Sequence, residues 1–351
     1  MIQSSNKDIE IMIGQMIMTG FRGTSPDNAY SFLQSLDSLN ISGVILYDQN
    51  LTTNPPSNHN IRSPEQVKSL NAALQSYSDV PLLIGVDQEG GQVNRLKKEY
   101  GFPDSKSWAD IGSFDEETKT ISHSEKIASV LSEFGFNMNF APVLDLSIHP
   151  ENIIVQKGRC CSDDPVVVAN HAKLFINSHL EKNVIPVCKH FPGQGSATSD
   201  THEGLVDVSD TWTENELIPY EHLINKKCLP AVMTSHLFHK GLDHDYPATL
   251  SIKILNDLLR GEMSFDGVII SDDPQMGAIR NHYDLKTVIK LMINAGVDMF
   301  CFGNNLVYDP DIVKKVYAII GELLDEDLIT INQIETAYNR ILKLKLQIGL
   351  S

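Results

Sequence analysis

Ionisable side chains gather in one segment, residues 189–205, whose sequence is KHFPGQGSATSDTHEGL. An apolar run ends in Lys189 and His190, a loop rich in Gly and Pro follows, and Asp200 and His202 come next. An aspartate two residues from a histidine can fix the tautomer of the imidazole and stabilise its protonated form. We therefore predict that His202 transfers protons near neutral pH, with Asp200 behind it. The alternative is a structural hydrogen-bonding role.

A second candidate lies in GVIISDDPQM, residues 267–276, where an apolar run ends in paired aspartates. Asp273 has a structural explanation, because Pro274 suits the first position of a helix and aspartate suits the cap before it. Asp272 has no such explanation. A carboxylate at the end of a buried strand is costly to desolvate unless function or a partner compensates. Asp272 is therefore the predicted reactive carboxylate.

A third segment, GVDQEGGQVNRL at residues 85–96, combines two carboxylates, a glycine pair and an arginine. The glycines allow a sharp turn, which leaves Asp87 at the end of the preceding apolar run. Asp87 and Arg95 are candidates for ligand binding. The alternative is a tight loop in which these two side chains form a structural salt bridge.

His190, Asp200 and His202 are of residue types that bind metal ions, so a metal site is an alternative. Lys189 would place a competing cation beside the metal, and no HxH or HExxH spacing occurs. The sequence also contains no GxGxxG or phosphate-loop motif. We expect neither a metal nor a cofactor.

Eight apolar, β-branched runs alternate with stretches of helical periodicity, which predicts a parallel sheet surrounded by helices. The predicted fold is an α/β (β/α)8 TIM barrel in one domain, residues 1–351, and a doubly wound sheet is the alternative. Polar residues follow several of the runs, and the carboxyl ends of barrel strands form the active face, so these residues should converge. The eight runs occupy residues 13–20, 42–47, 81–87, 136–145, 184–191, 231–236, 266–273 and 297–303.

The amino-acid composition disfavours several classes of binding partner. The net charge is −17 over 351 residues, which disfavours nucleic acid and anionic membranes. No apolar run reaches the roughly 18 residues that a membrane span needs. The polar start MIQSSNKDIE does not resemble a secretory signal, and the five cysteines have neither disulfide nor zinc spacing. We expect a cytoplasmic protein.

The combined inventory suits glycoside chemistry, in which one group attacks the anomeric carbon and another protonates the leaving oxygen. Lys189, His190, Arg95, Arg159 and Asp87 are suited to binding hydroxyl groups. The same groups would serve other reactions of polyols or sugar phosphates.

Six ordered segments resemble glycoside hydrolase family 3, and within it the single-domain bacterial β-N-acetylglucosaminidases. They are GVDQEGGQVNRL, FAPVLDL, GRCCSDDP, KHFPGQGSATSDTHEGL, VMTSH and FDGVIISDDPQM. The resemblance implies a retaining exo-hydrolase that releases terminal β-linked N-acetylglucosamine, as from peptidoglycan fragments, with Asp272 as nucleophile and His202 as acid/base. By the same resemblance, the sugar-binding residues are Asp87, Arg95, Arg159, Lys189 and His190.

The sequence departs from the family pattern at three places. Gln194 replaces the histidine of FPGHG, Cys-Cys-Ser follows Arg159, and Pro274 replaces a frequent leucine. Gln194 forms hydrogen bonds but carries no charge, which bears on leaving-group preference. A β-glucosidase, a β-N-acetylglucosaminide phosphorylase and a non-catalytic sugar-binding protein remain as alternatives, and the oligomeric state stays open.

Overall fold

The computed structural model describes residues 6–37, 39–198 and 204–350. Its centre is a parallel sheet of eight strands, one in each apolar run predicted above. The strands are shorter than those runs, because residues at the run ends leave the hydrogen-bonded ladder. They are β1 (Ile17–Gly20), β2 (Gly43–Ile45), β3 (Leu83–Val86), β4 (Met138–Asn139), β5 (Ile185–Phe191), β6 (Ala231–Thr234), β7 (Val268–Ile270) and β8 (Phe300–Phe302).

The strands follow one another around the sheet in chain order from β1 to β7, and β8 pairs with β1. The register places Thr19 opposite Val44 and Phe302. A parallel bridge between Ile270 and Met299 brings β7 against the start of β8 and joins the two ends of the sheet. The predicted (β/α)8 barrel is therefore confirmed, and the doubly wound alternative is wrong.

Helices cover the outside of the barrel. Several begin where the sequence supplies a cap followed by proline: Ser63 accepts the N–H of Gln66, and Asp164 accepts those of Val166 and Val167. The α-helices are α1 (Asn6–Gln15), α2 (Pro26–Ser35), α3 (Pro64–Tyr77), α4 (Trp108–Phe114), α5 (Glu117–Glu133), α6 (Ile153–Gln156), α7 (Pro165–Leu180), α8 (Ile218–Asn225), α9 (Gly277–Arg280), α10 (Leu285–Ala295), α11 (Ile312–Asp325) and α12 (Ile331–Gln347).

Shorter elements complete the chain. Three 3₁₀ helices span Lys98–Tyr100, Glu214–Leu217 and Ala248–Leu250, and a π-helix spans Lys253–Glu262 between β6 and β7. Small two-stranded ladders join Gln49–Asn50 to Ser57–Asn58, Gln88–Gly90 to Val93–Asn94, and Val206–Asp207 to Leu237–Phe238. All three ladders lie beyond the carboxyl ends of barrel strands, so they enlarge the predicted active face.

One helix start differs from the prediction. The chain after Asp273 forms a turn, and α9 begins at Gly277 rather than at Pro274. Asp273 still has a structural role, because its Oδ1 accepts the backbone N–H of Gln275 at 3.0 Å. The short side chain satisfies a turn instead of a helix terminus.

Apolar side chains of the barrel strands and of the residues beside them belong to one hydrophobic core, as the unbroken apolar runs predicted. Met18, Ile84, Phe140 and Ile269 are each fully buried or nearly so. Among the described residues, no helix is long and apolar enough to cross a membrane.

Candidate active site

Asp272 lies two residues beyond the end of β7, on the carboxyl-end face of the barrel. Its backbone N–H donates to Thr234 Oγ1 at 3.3 Å, which ties it to the end of neighbouring β6. Its Oδ1 accepts the N–H of Asp273 at 2.8 Å. The side chain of Asp272 is thus held by its own backbone turn while the residue remains partly exposed to solvent.

Lys189 links two carboxylates on this face. Its Nζ lies 2.8 Å from Asp87 Oδ1 and 2.8 Å from Glu89 Oε1. Glu89 in turn accepts two hydrogen bonds from Arg159, from Nε and Nη2, each at 2.8 Å. The paired geometry fixes the guanidinium plane, which a single contact would not do. Strand β5 and the loops after β3 and β4 therefore contribute to one charged network.

The charges in this network stabilise one another. Burial raises the pKa of both carboxyls, but Lys189 and Arg95 hold that of Asp87 well below its usual range. Arg159 and Lys189 likewise lower the pKa of Glu89 to about 2. The pKa of Lys189 is raised, because its two carboxylate partners outweigh its burial. All three groups are consequently ionised at neutral pH.

Asp272 and this network converge around the end of β8. Burial raises the pKa of the Cys301 thiol well above its usual value. The charges of Asp273, Asp272 and Asp87 raise it further, while that of Lys189 lowers it. Electrostatic influence of this kind acts over short distances in a folded protein. Asp87 and Lys189 are thus in direct contact, and both lie on the same face of the barrel as Asp272.

Arg95 lies at the edge of the network. One guanidinium nitrogen is 3.6 Å from Asp87 Oδ2 and another is 3.6 Å from Asp48 Oδ1. Asp48 is buried and also pairs with Lys97 at 2.6 Å. The salt bridge between Asp87 and Arg95 is thus real, yet both members remain partly exposed on the active face and can also bind a ligand.

His190 is oriented from behind by Asp145. Its Nδ1 lies 2.7 Å from Asp145 Oδ2, and its backbone N–H donates to Oδ1 at 3.1 Å. A carboxylate can only accept, so Nδ1 carries the proton and Nε2 faces away from Asp145. Gln194 donates its N–H to the same Oδ1 at 2.8 Å. Its side-chain oxygen accepts from Ser235 at 3.3 Å, so this departure from the family pattern is accommodated inside the protein.

Asp200 and His202 lie outside the described residues, so their predicted roles, and the expectation that they bind no metal, remain predictions. The described residues on either side are firmly held. Glu216 accepts the N–H groups of Gly195 at 2.7 Å and Ser196 at 3.1 Å. On the other side, Val206 pairs with Leu237 in a short parallel ladder.

Four residues near the site were not assigned roles from the sequence: Glu89, Asp48, Glu216 and Tyr47. Glu89 stood beside the glycine pair and gave a signal, as one of two carboxylates in that segment. Tyr47 is the last residue of the second apolar run and Asp48 follows it, so the strand-end argument could have found both. Glu216 lies in the stretch TENELIPYEHLI, whose periodicity is helical, and gave no signal.

A separate cavity of about 1090 Å³ opens at the opposite end of the barrel, around Leu229, Phe265 and Leu344. Two of its three cationic residues, Arg340 and Lys343, are already paired with Asp266. The chemistry described above therefore lies on the carboxyl-end face and not in this cavity.

Comparison with known proteins agrees with this arrangement. Residues 9–344 match the model of the glycosyl hydrolase family 3 N-terminal domain. Beta-hexosaminidase A of Pseudoalteromonas piscicida is 28% identical over 373 aligned positions, covering 95% of this chain but only 60% of that protein. The beta-hexosaminidase of Nitrosomonas eutropha is 32% identical, with 77% of this chain and 75% of that protein covered.

Solved structures show the same barrel. A family 3 β-N-acetylglucosaminidase from Paenibacillus sp. superposes with a TM-score of 0.86 at 27% identity, covering 97% of this chain and 62% of that one. The β-N-acetylhexosaminidase of Beutenbergia cavernae gives 0.82 at 28% identity, covering 96% and 98%. The chain thus spans about three fifths of some relatives and nearly all of another. With almost its whole length matching the family model, the chain belongs to glycosyl hydrolase family 3.

Proposed function

We propose that the protein is a retaining exo-β-N-acetylglucosaminidase, with Asp272 as nucleophile and His202 as general acid/base. The observation that carries this proposal is the position of Asp272 at the end of β7, beside the Asp87, Lys189 and Glu89 network. The relatives named as hexosaminidases support the choice of an N-acetylated sugar.

In the first step, Asp272 attacks the anomeric carbon and His202, as imidazolium, gives its proton to the departing oxygen. Neutral His202 then takes a proton from water, which attacks the anomeric carbon and releases the sugar from Asp272. The Asp273 N–H donates to Asp272 Oδ1 at 2.8 Å and so helps to orient the nucleophile.

The charged network would hold the non-reacting hydroxyl groups of the sugar. Asp87 is a fixed acceptor, whereas Lys189, Arg95, Arg159 and His190 supply donors. Because salt bridges already fix these side chains, little conformational entropy is lost when substrate binds. Orientation of the anomeric carbon against Asp272 then contributes to the rate.

The proposed natural substrates are glycans with a terminal β-linked N-acetylglucosamine, such as peptidoglycan fragments, met in the cytoplasm. The partner is thus a small carbohydrate. Water is the proposed acceptor, and phosphate is the competing acceptor that the experiment below separates from it.

The test compares hydrolysis of 4-nitrophenyl β-N-acetylglucosaminide and β-glucoside by the wild type, Asp272→Asn and His202→Ala. We expect cleavage of the acetamido sugar to fall about 10³-fold or more in Asp272→Asn, because the nucleophile is lost. For His202→Ala the expected loss is about 10²-fold. The matched control is Asp284→Asn, an exposed helix cap that should leave turnover unchanged.

Three results would contradict the proposal. They are cleavage of the glucoside in preference to the acetamido sugar, unchanged turnover in Asp272→Asn, and release of sugar 1-phosphate in place of free sugar when phosphate is added. The last would assign the phosphorylase alternative.

A further inference from the structure

We propose that Arg22, Thr52 and Tyr308 form a leaving-group subsite that selects substrates whose aglycone carries a carboxylate. These three residues are called the Arg22 cluster. The proposal rests on the glycosidase function proposed above and adds a specificity for the part of the substrate that departs.

The Arg22 cluster joins three loops on the carboxyl-end face. The guanidinium carbon of Arg22 lies 4.5 Å from the centre of the Tyr308 ring, and its Nη2 donates to Thr52 Oγ1 at 3.1 Å. Arg22 follows β1, Thr52 belongs to the hairpin loop after β2, and Tyr308 follows β8. These strands are neighbours in the barrel, so their loops form one continuous wall.

This wall is bonded to the segment that carries the proposed nucleophile. Asn304, at the start of the β8 loop, donates its N–H to Gln275 Oε1 at 2.7 Å. Gln275 is three residues beyond Asp272. The Asn304 side chain also donates to Gly20 O at 3.4 Å, at the end of β1. The Arg22 cluster is therefore on the same face of the barrel as Asp272 and attached to its loop.

The hairpin between residues 49 and 58 is held in the wall from its other side. The N–H of Leu51 donates to Asn305 Oδ1 at 3.2 Å, and the Asn305 side chain donates to Gln49 O at 3.0 Å. The polar segment TTNPPSNHN, residues 52–60, is thus a fixed part of the active face.

Arg22 brings a positive charge that no carboxylate among the described residues neutralises. Within residues 6–37, 39–198 and 204–350, no carboxylate oxygen lies within 4.0 Å of its guanidinium. Most other cations of the active face are paired: Lys189, Arg159, Arg95 and Lys97 each contact a carboxylate. In a chain with a net charge of −17, an unpaired guanidinium at the active face is a specific feature that matches an anionic ligand.

The surroundings suit a ring that bears such a group. Tyr308 is 44% exposed and Leu51 is 46% exposed, so an apolar surface lies next to the charge. A planar guanidinium recognises a carboxylate through two parallel hydrogen bonds. The neighbouring His59 adds no charge of its own at neutral pH, because burial, with a further contribution from Arg22, lowers its pKa to about 4.

The experiment uses two β-N-acetylglucosaminides of nearly equal shape, with 4-hydroxybenzoate and 4-hydroxybenzamide as leaving groups. The measured quantity is the ratio of kcat/KM for the acid to that for the amide, in the wild type and in Arg22→Gln. We expect Arg22→Gln to lower this ratio about 5- to 10-fold, the size of one charge-assisted contact at a partly exposed site. Added salt should reduce the wild-type ratio.

Two further variants make the result specific. Lys343→Gln removes the same charge from an exposed position at the opposite end of the barrel and should leave the ratio unchanged. Arg22→Lys keeps the charge and should retain most of the preference. An equal effect of Lys343→Gln and Arg22→Gln, or an unchanged ratio in Arg22→Gln, would overturn the proposed subsite.

Binding separates this proposal from the glycosidase function. Calorimetric titration of both glycosides into Asp272→Asn reads the subsite without turnover. If the wild type cleaves neither glycoside but the acid binds more tightly in an Arg22-dependent way, the function proposal fails and the subsite stands. If both are cleaved and neither binding nor kcat/KM depends on Arg22, the subsite fails alone.

Discussion

Replacing Glu216 by glutamine should change how stability depends on pH. The side chain is 1% exposed and accepts the N–H groups of Gly195 and Ser196, which precede the predicted acid/base loop. Burial raises its pKa to about 7, and the nearby charge of Asp145 contributes to the rise. The usual value for such a carboxyl is 4.5, so the folded protein keeps a proton that the unfolded chain has lost.

The direction in which stability changes with pH follows from the number of protons that each state binds. Between pH 4.5 and about 7 the folded state binds more protons at Glu216 than the unfolded state does. The stability contributed by this group is therefore complete below pH 4.5 and is lost as the pH rises through 7. Between pH 5 and pH 8 the loss amounts to about 2 to 3 kcal/mol of unfolding free energy. Glutamine has no such titration.

The assay is urea unfolding of the wild type and Glu216→Gln at pH 5, 6, 7 and 8. The difference between their unfolding free energies should shift by about 2 to 3 kcal/mol in favour of the variant from pH 5 to pH 8. Glu221→Gln, an exposed change on the following helix, is the control, and its difference should stay within about 0.5 kcal/mol. A constant difference between wild type and Glu216→Gln would refute the reasoning.

Two further substitutions test a close contact next to Asp273 and the burial of the Lys345 amine. Gly303→Ala places a methyl group 2.5 Å from Asp273 Oδ2 and 2.7 Å from Tyr47 Oη. Because Asp273 must then shift beside Asp272, we expect kcat to fall about 10-fold. An unchanged kcat in this variant would contradict the prediction. Lys345 is buried with neutral acceptors, and desolvation lowers its pKa to about 7, so wild-type stability should rise from pH 7 towards pH 10. Urea unfolding of the wild type and Lys345→Met from pH 7 to pH 10 measures this rise. If the unfolding free energies of both proteins changed equally with pH, the prediction would be contradicted.

Strand positions could be predicted because each barrel strand is buried on both faces. Such a strand needs an unbroken apolar run, and the run ends where the chain reaches the surface. Asp87, Lys189 and Asp272 lie at the ends of three of these runs, so their placement on one face followed from the barrel geometry alone. The helix start after Asp273 was wrong because the same cap chemistry also satisfies a turn.

Partners across the barrel could not be predicted, since spacing along the chain carries no information about them. The contact between Arg159 and Glu89 spans 70 residues, and that between Lys189 and Asp87 spans 102. Knowing that strands converge gives the neighbourhood but leaves many pairings open. Only the placement of the side chains shows that Arg159 uses two of its donors on Glu89, which leaves fewer of them for a ligand.

The members of the Arg22 cluster could not be recognised as neighbours from the sequence either. Arg22, Thr52 and Tyr308 are separated by 30 and 256 positions, and none lies in a motif that resembles the family. Each alone is an ordinary surface residue. They become a candidate subsite only because β1, β2 and β8 are adjacent in the closed barrel. The proposed specificity therefore lies in loop residues whose proximity follows from barrel closure, while the proposed chemistry lies at strand ends that the sequence reveals.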